Sequence, residues 1–192
     1  MNPLLRAAAI LIDPPVEWAR IEHDSGDPAY LLSRYVAVLA LVPAVFGFVG
    51  ACVVGVTASG AGPVRTPLID GLFGAAFAYV AAFATVLVLG FVINLLAPLF
   101  GGRVNFESAF KLAVYSYTPA WLAGIFLLLP GLRFLTLTGL YGAYLFLVGL
   151  PQLTKLPAPK SPIFAALIAV IACTVAYLTA IAQRVLFGTA GL

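Results

Sequence analysis

Five long apolar runs constrain the fold of this chain more than any other feature. They cover Tyr35–Thr57, Gly71–Phe100, Ala109–Leu129, Phe134–Leu150 and Ile163–Leu186. About 20 mostly apolar residues are enough for a helix to cross the hydrocarbon core of a bilayer, and a helix satisfies its own backbone hydrogen bonds there. We therefore expect an all-α, polytopic transmembrane helix bundle with five spanning helices. Residues 1–192 would form a single membrane domain, with residues 1–30 as a short amphipathic, cytoplasmic or interfacial N-terminal segment.

The composition agrees with a membrane protein and argues against an enzyme. Hydrophobic residues make up 63% of the chain and charged residues 9%, whereas a soluble domain has about 25% charged residues. Hydrolysis inside a membrane would need paired aspartates, a Ser–His arrangement or an H-E-x-x-H zinc motif. His23 is the single histidine, and the seven acidic residues lie outside the apolar runs. We expect no catalytic residue, no metal site and no cofactor.

The distribution of basic residues predicts the topology. Five crossings place the N-terminus and the second and fourth connections on one side, with seven Lys and Arg residues against three on the other side. The positive-inside rule then puts the N-terminus in the cytoplasm and the C-terminus outside, for a multi-pass protein of the cell inner membrane. Because such basic loops commonly determine topology, we do not expect a nucleic-acid partner.

Two short helices are expected before the first apolar run, at Pro3–Ile12 and Pro15–His23. Asp13 is placed to cap the second helix, with prolines in its first turn. Trp18 and Ile21 lie three residues apart on one face, and an amphipathic helix with Trp at its edge typically lies in the headgroup layer. We interpret Trp18 as an interfacial anchor. A docking site for a cytoplasmic partner is the alternative.

Small residues recur at intervals of four in the first run, at Gly47, Ala51 and Gly55. Such a stripe lets another helix approach closely. We interpret it as packing inside the bundle, with a homodimer face as the alternative. The expected partners are therefore the lipid bilayer, other membrane proteins or a second copy of the chain.

The start of the third run carries helix-entry signals. Gly101 and Gly102 can end the preceding helix, and Asn105 is placed to cap the next one. Glu107 and Lys111 are four residues apart in the order that favours an ion pair along a helix. The simplest interpretation of these two side chains is a helix-entry ion pair.

A candidate polar pocket lies farther along the third run. Pro119 removes the backbone hydrogen bond to the Tyr115 carbonyl and should kink the helix. Polar groups in lipid normally face protein or a wet cavity. The residues assigned to this pocket are Asn94, Glu107, Lys111, Tyr115, Tyr117 and Pro119. The alternative is a kink stabilised by the hydroxyls of Ser116 and Thr118.

The segment Tyr115–Trp121, YSYTPAW, is similar to the Y-S-x-T-P-x-W segment of bacterial members of the Ypt-interacting (Yip) protein family. The Tyr141-x-x-Tyr144 pair, running on to a Gly-Leu-Pro triplet, resembles the family's next segment, and the early Pro14…Trp18 pattern fits as well. The resemblance implies a membrane protein with five spans. Eukaryotic relatives are associated with Rab-type GTPases, vesicle traffic and membrane shaping. Their D-L-Y-G-P motif is missing here, so the resemblance does not carry GTPase binding over.

These observations lead to one expected function and one alternative. We expect a non-enzymatic integral membrane protein of the Yip family that organises membrane or binds partner membrane proteins. The alternative is a channel or transporter that passes a small solute or lipid through the polar pocket near Pro119, since broken helices are typical of transporter sites.

Overall fold

The computed structural model describes residues 2–57 and 63–187. Its helices, within these residues, are α1 Pro3–Ile12, α2 Pro14–His23, α3 Pro28–Val54, α4 Leu68–Leu96, α5 Phe106–Ser116, α6 Thr118–Ala123, α7 Tyr141–Thr154 and α8 Ser161–Phe187. Two-residue strands, β1 Val56–Thr57 and β2 Pro63–Val64, pair antiparallel between α3 and α4, with Val56 opposite Val64.

Within the described residues, four segments are long and apolar enough to cross a membrane: Pro28–Val54, Leu68–Phe100, Pro130–Thr154 and Ala158–Phe187. Three of them include 3-10 turns, at Ala97–Phe100 after α4, at Pro130–Leu140 before α7 and at Ala158–Lys160 before α8. The prediction of an all-helical, multi-pass membrane protein is confirmed.

The third predicted span, Ala109–Leu129, is not one continuous helix. It consists of α5, α6 and a 3-10 turn at Gly124–Leu128, and it is interrupted at Tyr117. Pro119 lies in the first turn of α6, where its missing N–H leaves no helical hydrogen bond unmade. We call residues Phe106 to Leu128 the broken segment. The predicted count of five spans therefore holds only if this interrupted segment is included.

Contacts between neighbouring residues show that the broken segment and α3 lie side by side. At one end Gly26, just before α3, packs against Glu107 and Lys111 near the start of α5. At the opposite end Gly50 packs so closely on the Leu127 carbonyl that a Cβ on Gly50 would overlap it. The broken segment therefore runs beside α3 along its full length. Together with the four long segments it gives the bundle five rod-shaped segments, which we call rods.

Local capping follows the sequence. Asp13 accepts a hydrogen bond from the Val16 N–H and caps α2, and Asn105 accepts one from the Ser108 N–H at 2.9 Å and caps α5. Gly101 has a left-handed conformation, with φ +89°, and ends the turn after α4. Glycine adopts this conformation without steric penalty, which is why it commonly ends helices. All three predictions are confirmed.

Helices α1 and α2 form a helical hairpin that packs against α5 and α7. Its open end is tied by Arg6 and Asp24, and its turn at Ile12 and Asp13 lies near the start of α7, where the Tyr141 hydroxyl donates to the Leu11 carbonyl at 3.2 Å. We call Pro3–His23 the N-terminal hairpin. We call the end of the bundle that holds Asp24 the hairpin end, and the opposite end, at Val54 and Leu68, the far end.

The position of Trp18 differs from the expected interfacial anchor. Its indole is completely buried and packs on Gly149 of α7, where a Cβ would come within 2.5 Å of the ring. It also meets the Tyr115 ring edge to face, with the centroids 6.2 Å apart. The bare glycine backbone leaves room for the large indole, so Trp18 contacts protein where headgroup lipid was expected.

The predicted stripe of small residues, Gly47, Ala51 and Gly55, is buried. Two close helix approaches in this region involve other residues: Gly50 lies against the Leu127 carbonyl, and Gly71 of α4 lies against Cys52. A packing role for the stripe stays a prediction, although burial agrees with it.

Candidate functional site

A polar cavity of about 220 Å³ opens at the hairpin end, between α1, α3 and α5. It is lined by Pro3, Arg6, Asp24, Ser25, Tyr30, Leu31, Arg34, Tyr35 and Tyr115. The N-terminal hairpin supplies one wall, and the first turns of α3 supply another. The cavity therefore exists only because the hairpin folds back onto the bundle.

Arg6 is the centre of the charged wall. Its guanidinium lies 2.9 Å from the Glu17 carboxylate and forms a second ion pair with Asp24. The Glu17 side chain is almost fully buried, and Arg20 reaches it from the surface at 3.3 Å. A buried carboxylate is costly unless it is paired, so Arg6 is needed to hold Glu17 inside the hairpin.

Lys111 ties the broken segment to the end of α2. Its Nζ donates to the carbonyl oxygens of Ile21 at 2.8 Å, Asp24 at 2.9 Å and Glu22 at 3.3 Å. The last carbonyls of a helix lack partners within the helix, and a cation there also opposes the negative end of the helix dipole. Lys111 thus acts as a C-terminal cap for α2.

The predicted Glu107–Lys111 ion pair is wrong. Lys111 is buried and points to α2, while Glu107 lies one turn earlier on α5 and is exposed. Three carbonyl oxygens at the end of α2 compete for the ammonium group and satisfy all three of its donors. The single exposed carboxylate of Glu107 would give the ammonium group fewer hydrogen-bond acceptors.

Aromatic side chains form the floor of the cavity. The Tyr115 and Tyr35 rings meet edge to face, with centroids 4.8 Å apart. The Tyr35 hydroxyl is hydrogen-bonded to the Thr118 hydroxyl at 2.8 Å, next to the interruption between α5 and α6. The Arg6 guanidinium carbon lies 6.0 Å from the Tyr115 ring centroid, at the limit of a cation–π contact.

The six residues assigned to a polar pocket from sequence are not brought together. Tyr115 lines the cavity. Lys111 lies at its edge, where its Nζ donates to the carbonyl of the lining residue Asp24. Glu107 is exposed. Asn94 is half-buried on α4, and the Tyr117 ring packs against Trp121 at an interplanar angle of 54°, with the centroids 5.6 Å apart.

Pro119 lies in a different depression, an apolar groove of about 830 Å³ near the turn of the N-terminal hairpin. Its walls include Leu11, Leu122, Phe126 and Tyr141. The groove and the polar cavity lie at opposite ends of α1. The single pocket predicted from the sequence therefore combined residues from two separate sites.

Sequence reasoning missed Arg6, Glu17, Asp24 and Arg34 as parts of a site. The available signal was Arg6, the single charge in an otherwise apolar helix. A charge in such a position needs a partner, which would have directed attention to the carboxylates of α2. Within the described part of the chain, no group of three His, Cys, Asp or Glu side chains is placed to hold a metal ion.

Comparison with known proteins gives one result. Searches of curated proteins and of solved structures found no significant match. The Yip1 domain model matches residues 8–181, a range that begins within α1, ends within α8 and includes the whole broken segment. The chain therefore belongs to the Yip1 domain family and is a multi-pass membrane protein of that family.

Proposed function

We propose that this protein is a non-enzymatic organiser of the lipid bilayer, and that the N-terminal hairpin acts as a wedge in one leaflet. The observation that carries the proposal is the position of the hairpin: its turn reaches only to the start of α7. A helix of ten residues is about 15 Å long, half of the roughly 30 Å hydrocarbon core. The protein is thus wider at the hairpin end than at the far end.

Large apolar side chains are exposed on α1, at the turn of the hairpin and in the first turn of α2, as a wedge in lipid requires. Ile12 at the turn is 83% exposed and Leu5 on α1 is 64% exposed, with Leu4 and Val16 beside them. Helices that insert apolar side chains into one leaflet bind in a curvature-dependent way. The inserted hairpin is expected to spread the lipids of its leaflet. It should therefore favour a bilayer that is convex on the side of the hairpin end.

We also propose a bacterial inner-membrane location with the hairpin end in the cytoplasm. Arg20, Arg34, Arg103, Lys155 and Lys160 lie at or near this end, in agreement with the positive-inside rule. Five rods would leave the two termini on opposite faces. Reporter tags fused to each terminus should respond in different compartments, and responses in the same compartment would overturn this topology.

A solute path through the Pro119 region has less support. The bundle is tightly packed around the interruption, where Gly139 packs on Ala120 and Gly142 packs on the Ser116 carbonyl. Thr118 and Trp121 are buried, and the groove at Pro119 has apolar walls. The charged side chains Arg6, Asp24 and Arg34 line the other cavity, at the hairpin end.

The wedge is tested by the distribution of purified protein among vesicles of different diameter. The wild type, oriented with the hairpin end outward, should be enriched on small vesicles. A Leu5→Ser, Ile12→Ser variant should lose this enrichment, because serine removes the inserted apolar volume. Leu72→Ser with Val170→Ser is the matched control, since both residues are similarly exposed on spanning helices. Equal distribution of the wild type over all diameters would refute the wedge.

A further inference from the structure

The polar cavity is lined by an arginine, Arg34, that has no ion-pair or hydrogen-bond partner among the described residues. Arg34 lies in the second turn of α3, is exposed and lines the cavity. Among the described residues it has neither an ion-pair nor a hydrogen-bond partner, whereas Arg6 on the opposite wall is already paired with Glu17 and Asp24. The planar guanidinium group suits bidentate binding of phosphate oxygens. The cavity therefore offers one unused cationic group.

Tyrosine hydroxyls complete the donor set. Tyr115 is only 7% exposed and lines the cavity, yet its hydroxyl has no hydrogen-bond partner within the described part of the chain. Tyr30 lines the cavity beside it and is half exposed. The Tyr35 hydroxyl, in contrast, is used by Thr118. Two hydroxyl donors and one guanidinium thus face the same space.

The charges around the cavity favour a singly charged anion. Asp24 lines the wall, but its carboxylate is paired with Arg6, and Glu17 behind it is paired with the same guanidinium. Lys111 adds a further positive charge at the edge, through its bond to the Asp24 carbonyl. The two carboxylates are therefore balanced by Arg6 and Lys111, and the charge of Arg34 remains for a ligand.

The position of the cavity points to a lipid as the source of that anion. Arg34 immediately precedes the apolar part of α3, and Pro3 at the rim is followed by the exposed Leu4 and Leu5. Basic side chains at this depth commonly meet lipid headgroups. A ligand with its phosphate at Arg34 can keep its acyl chains on the apolar surface of α1.

We infer that this cavity binds the phosphodiester headgroup of an anionic phospholipid, with Arg34 as the phosphate ligand and Tyr30 and Tyr115 as hydroxyl donors. The inference is separate from the wedge, because a bound headgroup needs no curvature. A soluble phosphate ester shares the same chemistry. The acyl chains are what would distinguish the lipid from it.

The test is retention of phosphatidylglycerol by the full chain, measured by native mass spectrometry from mild detergent. Loss of a charge-assisted contact worth about 1.5–3 kcal/mol should weaken binding by about tenfold or more in Arg34→Gln. Tyr115→Phe, which removes a hydroxyl with no protein partner, should weaken it by about fivefold. Arg103→Gln removes an exposed arginine at the same end but outside the cavity, and it should bind as the wild type does.

Two outcomes would overturn the inference. Equal losses in Arg34→Gln and Arg103→Gln would show that charge at the hairpin end attracts lipid without a specific site. Displacement of the lipid by glycerol phosphate at a concentration no higher than that of the lipid would assign the cavity to a soluble phosphate ester, because the acyl chains would then add nothing to binding. Thermal unfolding of each variant is measured in parallel, and since Arg34 is exposed its replacement should leave the melting temperature unchanged.

Discussion

The ammonium group of Lys111 lies 2.8 Å from the carbonyl oxygen of Ile21, and this bond joins two parts of the chain that are 90 residues apart. Two further bonds, to Glu22 and Asp24, complete the cap on α2. The N-terminal hairpin is therefore held by the same broken segment that contributes Tyr115 to the cavity. Its attachment to the bundle is the point on which most of the expected effects depend.

Replacement of Lys111 by methionine should loosen the N-terminal hairpin. The change leaves the last carbonyls of α2 without a donor, and a hydrogen bond to a charged group contributes about 1.5–3 kcal/mol. Hydrogen exchange should become faster over Pro14–His23 and the melting temperature should fall. Glu107→Gln is the control and should have little effect, because Glu107 is exposed and forms no ion pair with Lys111. Equal destabilisation by both variants would contradict this cap and would support the Glu107–Lys111 ion pair that was expected from the sequence.

Replacement of Gly149 by alanine should disturb the packing of Trp18. The new Cβ would lie 2.5 Å from the indole, and overpacking of this kind costs about 1–3 kcal/mol. Gly131→Ala is the matched control, since nothing lies within 4 Å of a Cβ there. Thermal unfolding in detergent should show a loss only for Gly149→Ala. A double-mutant cycle with Trp18→Ala should show coupling between the two positions, and strictly additive effects would contradict the contact.

Stability should depend on pH through Glu22. The hydrogen bond from Lys155 lowers the pKa of the Glu22 carboxyl below its ordinary value of 4.5. The pair therefore stabilises the folded protein above that pH, and the contribution is lost as the pH falls through the lowered pKa. Because the pair is near the surface, the effect should not exceed about 1 kcal/mol. Melting temperatures of Glu22→Gln and wild type should differ at pH 7 and converge in acid, and a constant difference would contradict the pair.

Replacement of Tyr35 by phenylalanine should weaken the junction between α5 and α6. It leaves the buried Thr118 hydroxyl without its 2.8 Å partner, and an unsatisfied buried polar group costs about 1–3 kcal/mol. Tyr177→Phe, at an exposed position on α8, is the control and should not change the melting temperature. Hydrogen exchange of the backbone around Tyr117 should increase in Tyr35→Phe alone. Unchanged exchange would show that packing, without this bond, holds the interruption.

Features that depend on neighbouring residues could be predicted from the sequence. Asp13 and Asn105 cap helices that begin one residue later. Five spans were predicted from the apolar runs, because apolar composition decides solubility in lipid, and four of these runs correspond to segments long and apolar enough to cross a membrane. A kink was expected from Pro119, and the structure has its interruption at Tyr117, a single residue that separates α5 from α6 and keeps right-handed helical dihedral angles.

Features that depend on distant residues could not be predicted. The spacing of Glu107 and Lys111 favoured a local ion pair, but the carbonyls that compete for Lys111 are brought close only by the fold. Trp18 has the pattern of an interfacial residue, and its burial depends on a glycine 131 positions later in the numbering, Gly149. The polar cavity likewise joins Arg6 and Arg34, which have no recognisable spacing in the sequence.

The contacts of the N-terminal hairpin also imply an order of assembly. The residues that hold it, Lys111, Tyr141, Gly149 and Lys155, all leave the ribosome after it. During synthesis the N-terminal hairpin must therefore wait at the membrane surface until α5 and α7 have been inserted. Its docking would be among the last steps of biogenesis, so a chain truncated before α7 should leave this segment open to proteases.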